Sequence, residues 1–205
     1  VESMFLAQIF FAAHQSALAR VLGNDPVYWE TFEEIWAGYS AAMLLERRLV
    51  HPHADCGEEE YDAILKRSLP LLLPSAALLR SVGAWDQFDD LEDLVLSAVR
   101  AAQLFNDAMD VRKDLAAGRH TWVVRRFGGA EGEGVMMRKM VLGGGIETVF
   151  KESSADLDRA KAAAERMGLP SASAWIDRRK EMMDSAIKKA LQALFSRLLS
   201  AAAPD

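Results

Sequence analysis

Apolar residues recur every three or four positions along most of the chain, which is the spacing of one face of an α-helix. The clearest stripe runs through Trp29, Phe32, Trp36, Tyr39 and Met43. Valine- and isoleucine-rich runs and Asn-Gly turns, the marks of strands and hairpins, are nearly absent. The pattern predicts helices over residues 2–22, 26–50, 58–68, 89–118, 146–167 and 171–202, and a further helix that begins at Thr121.

Glycine and proline separate these predicted helices. Gly23 suits the end of the first helix and Pro26 the start of the second. Pro70 and Pro74 should kink or break the apolar segment that follows the third helix, and Pro170 divides the last two helices. No internal repeat or linker is visible. We therefore predict one all-α domain, a helical bundle over residues 1–205.

Composition and charge narrow the possible partners. The chain is 51% apolar and 26% charged, the balance of a globular protein, and its net charge of −6 argues against a nucleic-acid surface. The apolar run "MFLAQIFFAA" is too short to span a membrane and follows an acidic residue, Glu2. We expect a cytoplasmic protein without a membrane span. The oligomeric state stays open, with a homodimer among the options.

Cys56 is the only cysteine, so the chain forms no internal disulfide and a reducing compartment is expected. Together with His51 and His53 it gives one loop the composition of a zinc site. The loose spacing and Pro52 favour an exposed loop before an acidic helix.

The stretch "QLFNDAMDVRKDLAAGRHTW", residues 103–122, contains the best candidate chemistry. Asn106, Asp110 and Asp114 recur every fourth residue, so on a helix they form one ridge with a rise of about 6 Å per step. Amide and carboxylate oxygens are ligands that Mg²⁺ accepts. The alternative is a solvated helix face on which Arg112 and Lys113 balance the acids.

The longer string resembles a known metal-binding motif. Asn106-Asp107-x-x-Asp110-x-x-Lys113-Asp114, followed by Gly118-Arg119, is similar to the second metal-binding motif of class I isoprenoid (terpenoid) synthases. It satisfies the squalene/phytoene synthase form, N-x-x-x-D-x-x-x-D-x-x-x-G-R, at every position. It matches the cyclase form, N-D-x-x-S/T-x-x-K-E, with Asp110 for Ser/Thr and Asp114 for Glu.

The resemblance implies a helical bundle of the class I terpenoid synthase type that ionises a prenyl diphosphate with Mg²⁺, followed by cyclisation or coupling. Asn106, Asp110 and Asp114 would bind the metal, and Asn106 and Asp110 would thereby act in catalysis. The residues that would bind substrate are Lys113 and Arg119 at the diphosphate and Trp36 and Tyr39 as aromatic faces toward a carbocation. Ordinary core packing is the alternative for the two aromatic residues.

The first aspartate-rich motif of these synthases, D-D-x-x-D, has no suitable counterpart. "DDLED", Asp89 to Asp93, would lie about 20 Å from Asn106 along one helix, so we interpret it as an acidic helix N-terminus. The resemblance then implies N-terminal helices upstream of Val1, or divergence. Two further functions stay open: a trans-prenyl diphosphate synthase or squalene/phytoene-type condensing enzyme, and a non-catalytic helical binding subunit with a partial metal site.

Overall fold

The computed structural model describes residues 2–49, 57–128 and 131–202, and the regular structure within these ranges is entirely helical. The all-α prediction is therefore confirmed. The α-helices are α1 (Glu2–Leu22), α2 (Pro26–Leu49), α3 (Glu58–Leu65), α4 (Leu73–Ser81), α5 (Phe88–Met109), α6 (Val111–Ala116), α7 (Trp122–Arg126), α8 (Glu133–Val141), α9 (Gly145–Arg166) and α10 (Pro170–Ala202). Two short 3₁₀ segments, Lys66–Leu72 and Trp85–Gln87, complete the chain order. The candidate zinc loop, residues 51–56, lies outside the described residues.

The prediction of one continuous helix over residues 89–118 is wrong, because α5 ends at Met109 and α6 begins at Val111. Asp110 between them has φ −93° and ψ 3°, outside the helical region. The apolar residues Leu104, Ala108, Val111 and Leu115 keep a helical spacing across this break, so the sequence pattern hides it.

Two other differences have local causes. Pro70 lacks an amide hydrogen, and the segment around it tightens into a 3₁₀ helix in which the Leu73 amide donates to the Pro70 carbonyl. The glycine-rich region contains a helix that the sequence pattern did not predict, α8. Its buried Met136 and Met140 supply the apolar face that holds it to the core.

The centre of the fold is the pairing of α5 with α9. Small residues permit a close approach: Ala101 on α5 and Ala160 and Ala164 on α9 are fully buried. The Ser153 hydroxyl on α9 donates to the Ala101 carbonyl at 2.7 Å, which satisfies its polar group inside this contact. Ile176 of α10 is buried against the same cluster.

α1 is joined to α2 by a tight turn. Gly23 has φ +58°, a conformation that glycine adopts without strain, and its carbonyl accepts a hydrogen bond from the Trp29 indole at 2.9 Å. Farther back, Phe11 meets the Trp36 ring edge-on at 4.8 Å. Among the described residues, no helix combines the length and apolar character that crossing a bilayer requires.

A pair of glycine substitutions tests the packing of α8 against α9. Gly145→Ala should destabilise the protein by about 1–3 kcal/mol, because the new Cβ would lie 2.8 Å from the Phe127 ring and 2.9 Å from the Met140 Cα. Gly134→Ala is the matched control within α8, where a Cβ meets nothing within 4 Å. It should stabilise the protein by about 0.5–1 kcal/mol. Urea unfolding measures both, and equal effects would contradict the packing described here.

Candidate functional site

The break at Asp110 redirects the chain at the middle of the candidate motif. The Asp110 amide still donates to the Asn106 carbonyl at 2.8 Å, and the Asp114 amide donates to the Asp110 carbonyl at 2.8 Å. The bend is thus confined to one residue, Asp110, which occupies the N-cap position of α6 without a side-chain hydrogen bond to that helix.

The face that turns inward carries Asp107 and Asp114, and it shares only Asp114 with the four-residue series Asn106, Asp110 and Asp114. Asp107 and Asp114 are buried, with 5% and 6% of their surface exposed, whereas Asn106 and Asp110 face solvent. Seven residues nearly complete two helical turns, so Asp107 and Asp114 point the same way, and Asn106 lies about 100° away from Asp107. The structure therefore brings Asp107 to the protein side of the motif.

Asp107 borders a cavity of about 140 Å³ between α2, α3, α5 and the loop before α7. The cavity has one polar side and one apolar side. The polar side consists of Glu46, Arg67, Gln103, Asp107, Arg119, His120 and Thr121, and the apolar side of Leu49, Tyr61, Ile64, Leu65 and Trp122. Two residues of the motif, Asp107 and Arg119, thus line a partly open cavity with an aromatic wall.

A chain of hydrogen bonds fixes the polar side. Arg67 bonds the carboxylate of Glu46 and donates to the side-chain amide oxygen of Gln103 at 2.7 Å. This leaves the Gln103 amide nitrogen pointing at Asp107, to which it donates at 2.6 Å. Burial raises the pKa of Asp107 to about 7, against the lowering effect of the Gln103 hydrogen bond. The nearby Asp114 carboxylate raises it further.

The cationic residues of the motif divide between cavity and solvent. Arg119 lines the cavity and donates to the Asp114 carboxylate at 2.6 Å. The Lys113 side chain is 70% exposed, and its ammonium nitrogen lies 3.4 Å from an Asp110 carboxylate oxygen. This contact on the outer surface is weak. His120 lines the cavity beside Arg119, and its carbonyl accepts a hydrogen bond from Arg125 at 2.8 Å. Arg67, Arg119 and His120 together place nitrogen donors around the polar side.

The aromatic wall is formed by stacking. The rings of Tyr61 and Trp122 lie 5.1 Å apart with an interplanar angle of 27°. The guanidinium of Arg126 lies 4.8 Å from the Trp122 ring centroid, and Glu152 on α9 binds both of its terminal nitrogens at 2.8 Å. The Tyr61 hydroxyl is buried without a hydrogen-bond partner in the structure. Its pKa is raised by burial and by the neighbouring Asp107 carboxylate.

Trp36 and Tyr39, the predicted aromatic substrate contacts, do not border this cavity. They lie about 15 Å and 10 Å along α2 from the cavity-lining Glu46. Their rings pack against each other at 5.2 Å, and Trp36 also contacts Phe11. Both therefore serve the packing of α1 and α2, the alternative that the sequence left open.

The sequence prediction missed Glu46, Tyr61, Arg67, Gln103 and Trp122 as site residues. Glu46, Tyr61 and Arg67 come from segments far from the motif along the chain, and no spacing rule connects them to it. Gln103 and Trp122 are the first and last residues of the stretch 103–122, and Gln103 lies four residues before Asp107. Helical spacing from Asp107 would have identified Gln103, whereas the others require the tertiary fold.

The oxygen atoms of the motif suit Mg²⁺ only if substrate and water supply the remaining ligands of the ion. Asn106 and Asp110 are exposed oxygen donors at the bend, while Asp114 is already paired with Arg119. In the described residues, no three His, Cys, Asp or Glu side chains converge in a metal-binding group. Mg²⁺ commonly binds through one or two carboxylates together with waters and substrate phosphates, which two exposed donors allow.

No protein-family model, curated protein or solved structure matches the chain. Any function proposed for it therefore stands on the geometry of this cavity and on the resemblance of residues 106–119 to the isoprenoid synthase motif.

Proposed function

We propose that the chain carries the site of a Mg²⁺-dependent enzyme of the class I terpenoid synthase type, which ionises a prenyl diphosphate. One observation carries the proposal: Asp107 and Arg119, both within the motif, border the same cavity as the stacked rings of Tyr61 and Trp122. A polar rim and an apolar interior are what an amphiphilic substrate of this kind needs, with its charged end outside and its hydrocarbon inside.

The diphosphate would lie at the polar side of the cavity. Arg67 and Arg119 offer guanidinium groups there, and His120 offers an imidazole. Asn106 and Asp110, which are exposed and lie outside the cavity lining, would hold Mg²⁺, and the ion would supply charge stabilisation to the diphosphate as the leaving group. The C–O bond breaks and both electrons leave with the diphosphate. Lys113 extends the positive charge on the outer surface.

The apolar side would hold the allylic group and exclude water. Leu49, Ile64 and Leu65 offer no nucleophile, and the ring faces of Tyr61 and Trp122 stabilise positive charge. Water that reached the cation would quench it before cyclisation or coupling. In this proposal Tyr61 and Trp122 stabilise the carbocation, the role that the sequence predicted for Trp36 and Tyr39.

Release of diphosphate from C5, C10, C15 and C20 prenyl diphosphates in the presence of Mg²⁺ tests the proposal. Asp110→Ala and Asn106→Ala should each reduce kcat/KM by about 100-fold, because each removes a metal ligand at the charged end of the substrate. EDTA should abolish release, and added Mg²⁺ should restore it.

Asp89→Ala is the matched control. Asp89 is an exposed aspartate on the same helix as Asn106, at the end distant from the cavity, and its loss should leave kcat/KM unchanged. A protein that releases diphosphate equally well with Asp110→Ala or Asn106→Ala does not use the proposed site.

A non-catalytic binding protein is the second candidate. It is favoured by the Arg119–Asp114 pair, which engages one of the three predicted metal ligands. It predicts that calorimetry detects prenyl diphosphate binding, weakened by Arg67→Met, while no diphosphate is released with Mg²⁺ present.

A further inference from the structure

α10 carries an exposed apolar row beside the stripe that holds it to the core. Ile176 and Met183 are buried against residues of the α5–α9 pair. Trp175 and Met182 each precede one of them, so they lie about 100° farther around the helix, and half or more of their surface is exposed. They are seven residues apart and therefore point to one side of α10. This row of two large side chains is not part of the core of the fold.

Cationic side chains border the exposed row. Arg178 and Arg179 lie about 50° to either side of it, and Lys189 continues it seven residues after Met182. Arg178 and Lys189 are exposed, and within the described residues no ion pair holds any of the three cations. Trp175, Met182 and these three cations form the outer face of α10.

The acidic side chains of α10 lie away from its outer face. In the part of the helix up to Lys189 they are Asp177, Glu181 and Asp184. Each is at least about 100° around the helix from the apolar row, and the Asp177 carboxylate accepts from Lys161 on α9 at 2.8 Å. Since the chain has a net charge of −6, three unpaired cations on one face are a local excess of positive charge. The occupant of this face must therefore be anionic and must also accept two apolar side chains.

An anionic phospholipid surface meets both requirements. The interface of a bilayer accommodates the amphipathic ring of tryptophan, and anionic headgroups attract arginine and lysine. A second copy of the chain would set the cations of one outer face against those of the other, and like charges repel. The phosphates of a nucleic acid would neutralise the cations but would give Met182 no apolar environment.

We propose that the outer face of α10 binds an anionic phospholipid surface. The helix lies parallel to the bilayer, with its apolar row between the headgroups and its three cations at the lipid phosphates. Binding is reversible and sensitive to salt, because only two large side chains enter the interface and the cations are exposed to screening. The proposal is independent of the function proposed above, since α10 contributes no residue to the lining of the cavity beside Asp107.

Flotation of the full chain with phospholipid vesicles tests the proposal. The chain should bind vesicles of equimolar phosphatidylcholine and phosphatidylglycerol, should not bind phosphatidylcholine alone, and should dissociate at high salt. Arg178→Gln combined with Arg179→Gln should weaken binding by about 25-fold, since each cation near an anionic surface contributes a factor of about five. Trp175→Ala and Met182→Ala should each weaken it by about 10-fold, because each removes apolar surface from the interface.

Lys188 and Lys189 provide a matched pair. Both are exposed on α10, but Lys188 lies about 110° around the helix from the apolar row. Lys189→Gln should weaken vesicle binding by about five-fold and Lys188→Gln by less than about two-fold, although each removes one charge. Arg47→Gln combined with Arg48→Gln, on exposed residues of α2, should likewise have little effect.

Circular dichroism checks that each variant is folded. Equal weakening by Lys188→Gln and Lys189→Gln would put the contact elsewhere on the protein and overturn the proposal. Equal binding to both kinds of vesicle, or binding to neither, would overturn it as well. A chain that binds soluble poly-glutamate but not the vesicles uses the outer face for an acidic protein, which also overturns the proposal.

Discussion

Replacing Arg100 with methionine is expected to lower the free energy of unfolding by about 3–5 kcal/mol. Arg100 on α5 donates to Asp62 at 2.8 Å and Glu58 at 2.9 Å, both on α3, and to Asp156 on α9 at 2.7 Å. Asp156 is only 1% exposed, so its charge depends on protein partners rather than on water. Methionine keeps much of the side-chain length but leaves that buried carboxylate without its inner cation.

Two variants separate this effect from loss of packing. Arg159 also pairs with Asp156, but its side chain is 62% exposed, so Arg159→Met should cost no more than about 1 kcal/mol. Arg100→Met combined with Asp156→Asn should lose less stability than the sum of the two single changes, because the stranded charge is gone. Urea unfolding at pH 7 measures all of them. Additive losses would mean that Arg100 stabilises the fold through its bonds to Asp62 and Glu58 or through its hydrocarbon stem, and not by neutralising Asp156.

The helices of this fold were predictable because their apolar stripes extend over many turns. The first two and last two helices lie within two residues of their predicted ends, and Thr121 caps α7 as expected by accepting from the Val124 amide at 3.4 Å. The acidic residues Asp90 and Asp93 lie in the first two turns of α5, and both accept hydrogen bonds from Arg166. Local chemistry was sufficient for each of these features.

The site was predictable only in part, since sequence spacing does not state which helical face meets the core. Asn106, Asp110 and Asp114 satisfy a four-residue rule, but the fold buries Asp107 and Asp114 and exposes Asn106 and Asp110. Of the predicted stretch, Asp107 and Arg119 line the cavity. Arg67 could not be predicted, because only tertiary packing brings it to Gln103, 36 residues away along the chain.

Asp107→Asn is expected to remove the pH dependence of folding stability that burial of the Asp107 carboxyl group creates. The pKa of Asp107 is about 7 in the folded protein, mainly because burial disfavours its charged form, whereas an aspartate in an unfolded chain titrates near about 3.9. Between these two values the folded state holds a proton that the unfolded state has lost. Stability must therefore fall as the pH rises from about 4 to about 7 and then level off.

Asparagine copies the neutral form of Asp107 and still accepts the Gln103 hydrogen bond, so it avoids the cost of a buried charge. The stability gained by Asp107→Asn should grow between pH 5 and pH 8 toward a ceiling of about 4 kcal/mol, the equivalent of a shift of about three pKa units. Urea unfolding in EDTA-containing buffer at both pH values measures this gain, and Asp89→Asn, on an exposed residue of α5, is the control. A gain that is the same at both pH values would show that Asp107 is charged throughout. The Gln103–Arg67 chain would then stabilise the carboxylate more strongly than burial opposes it.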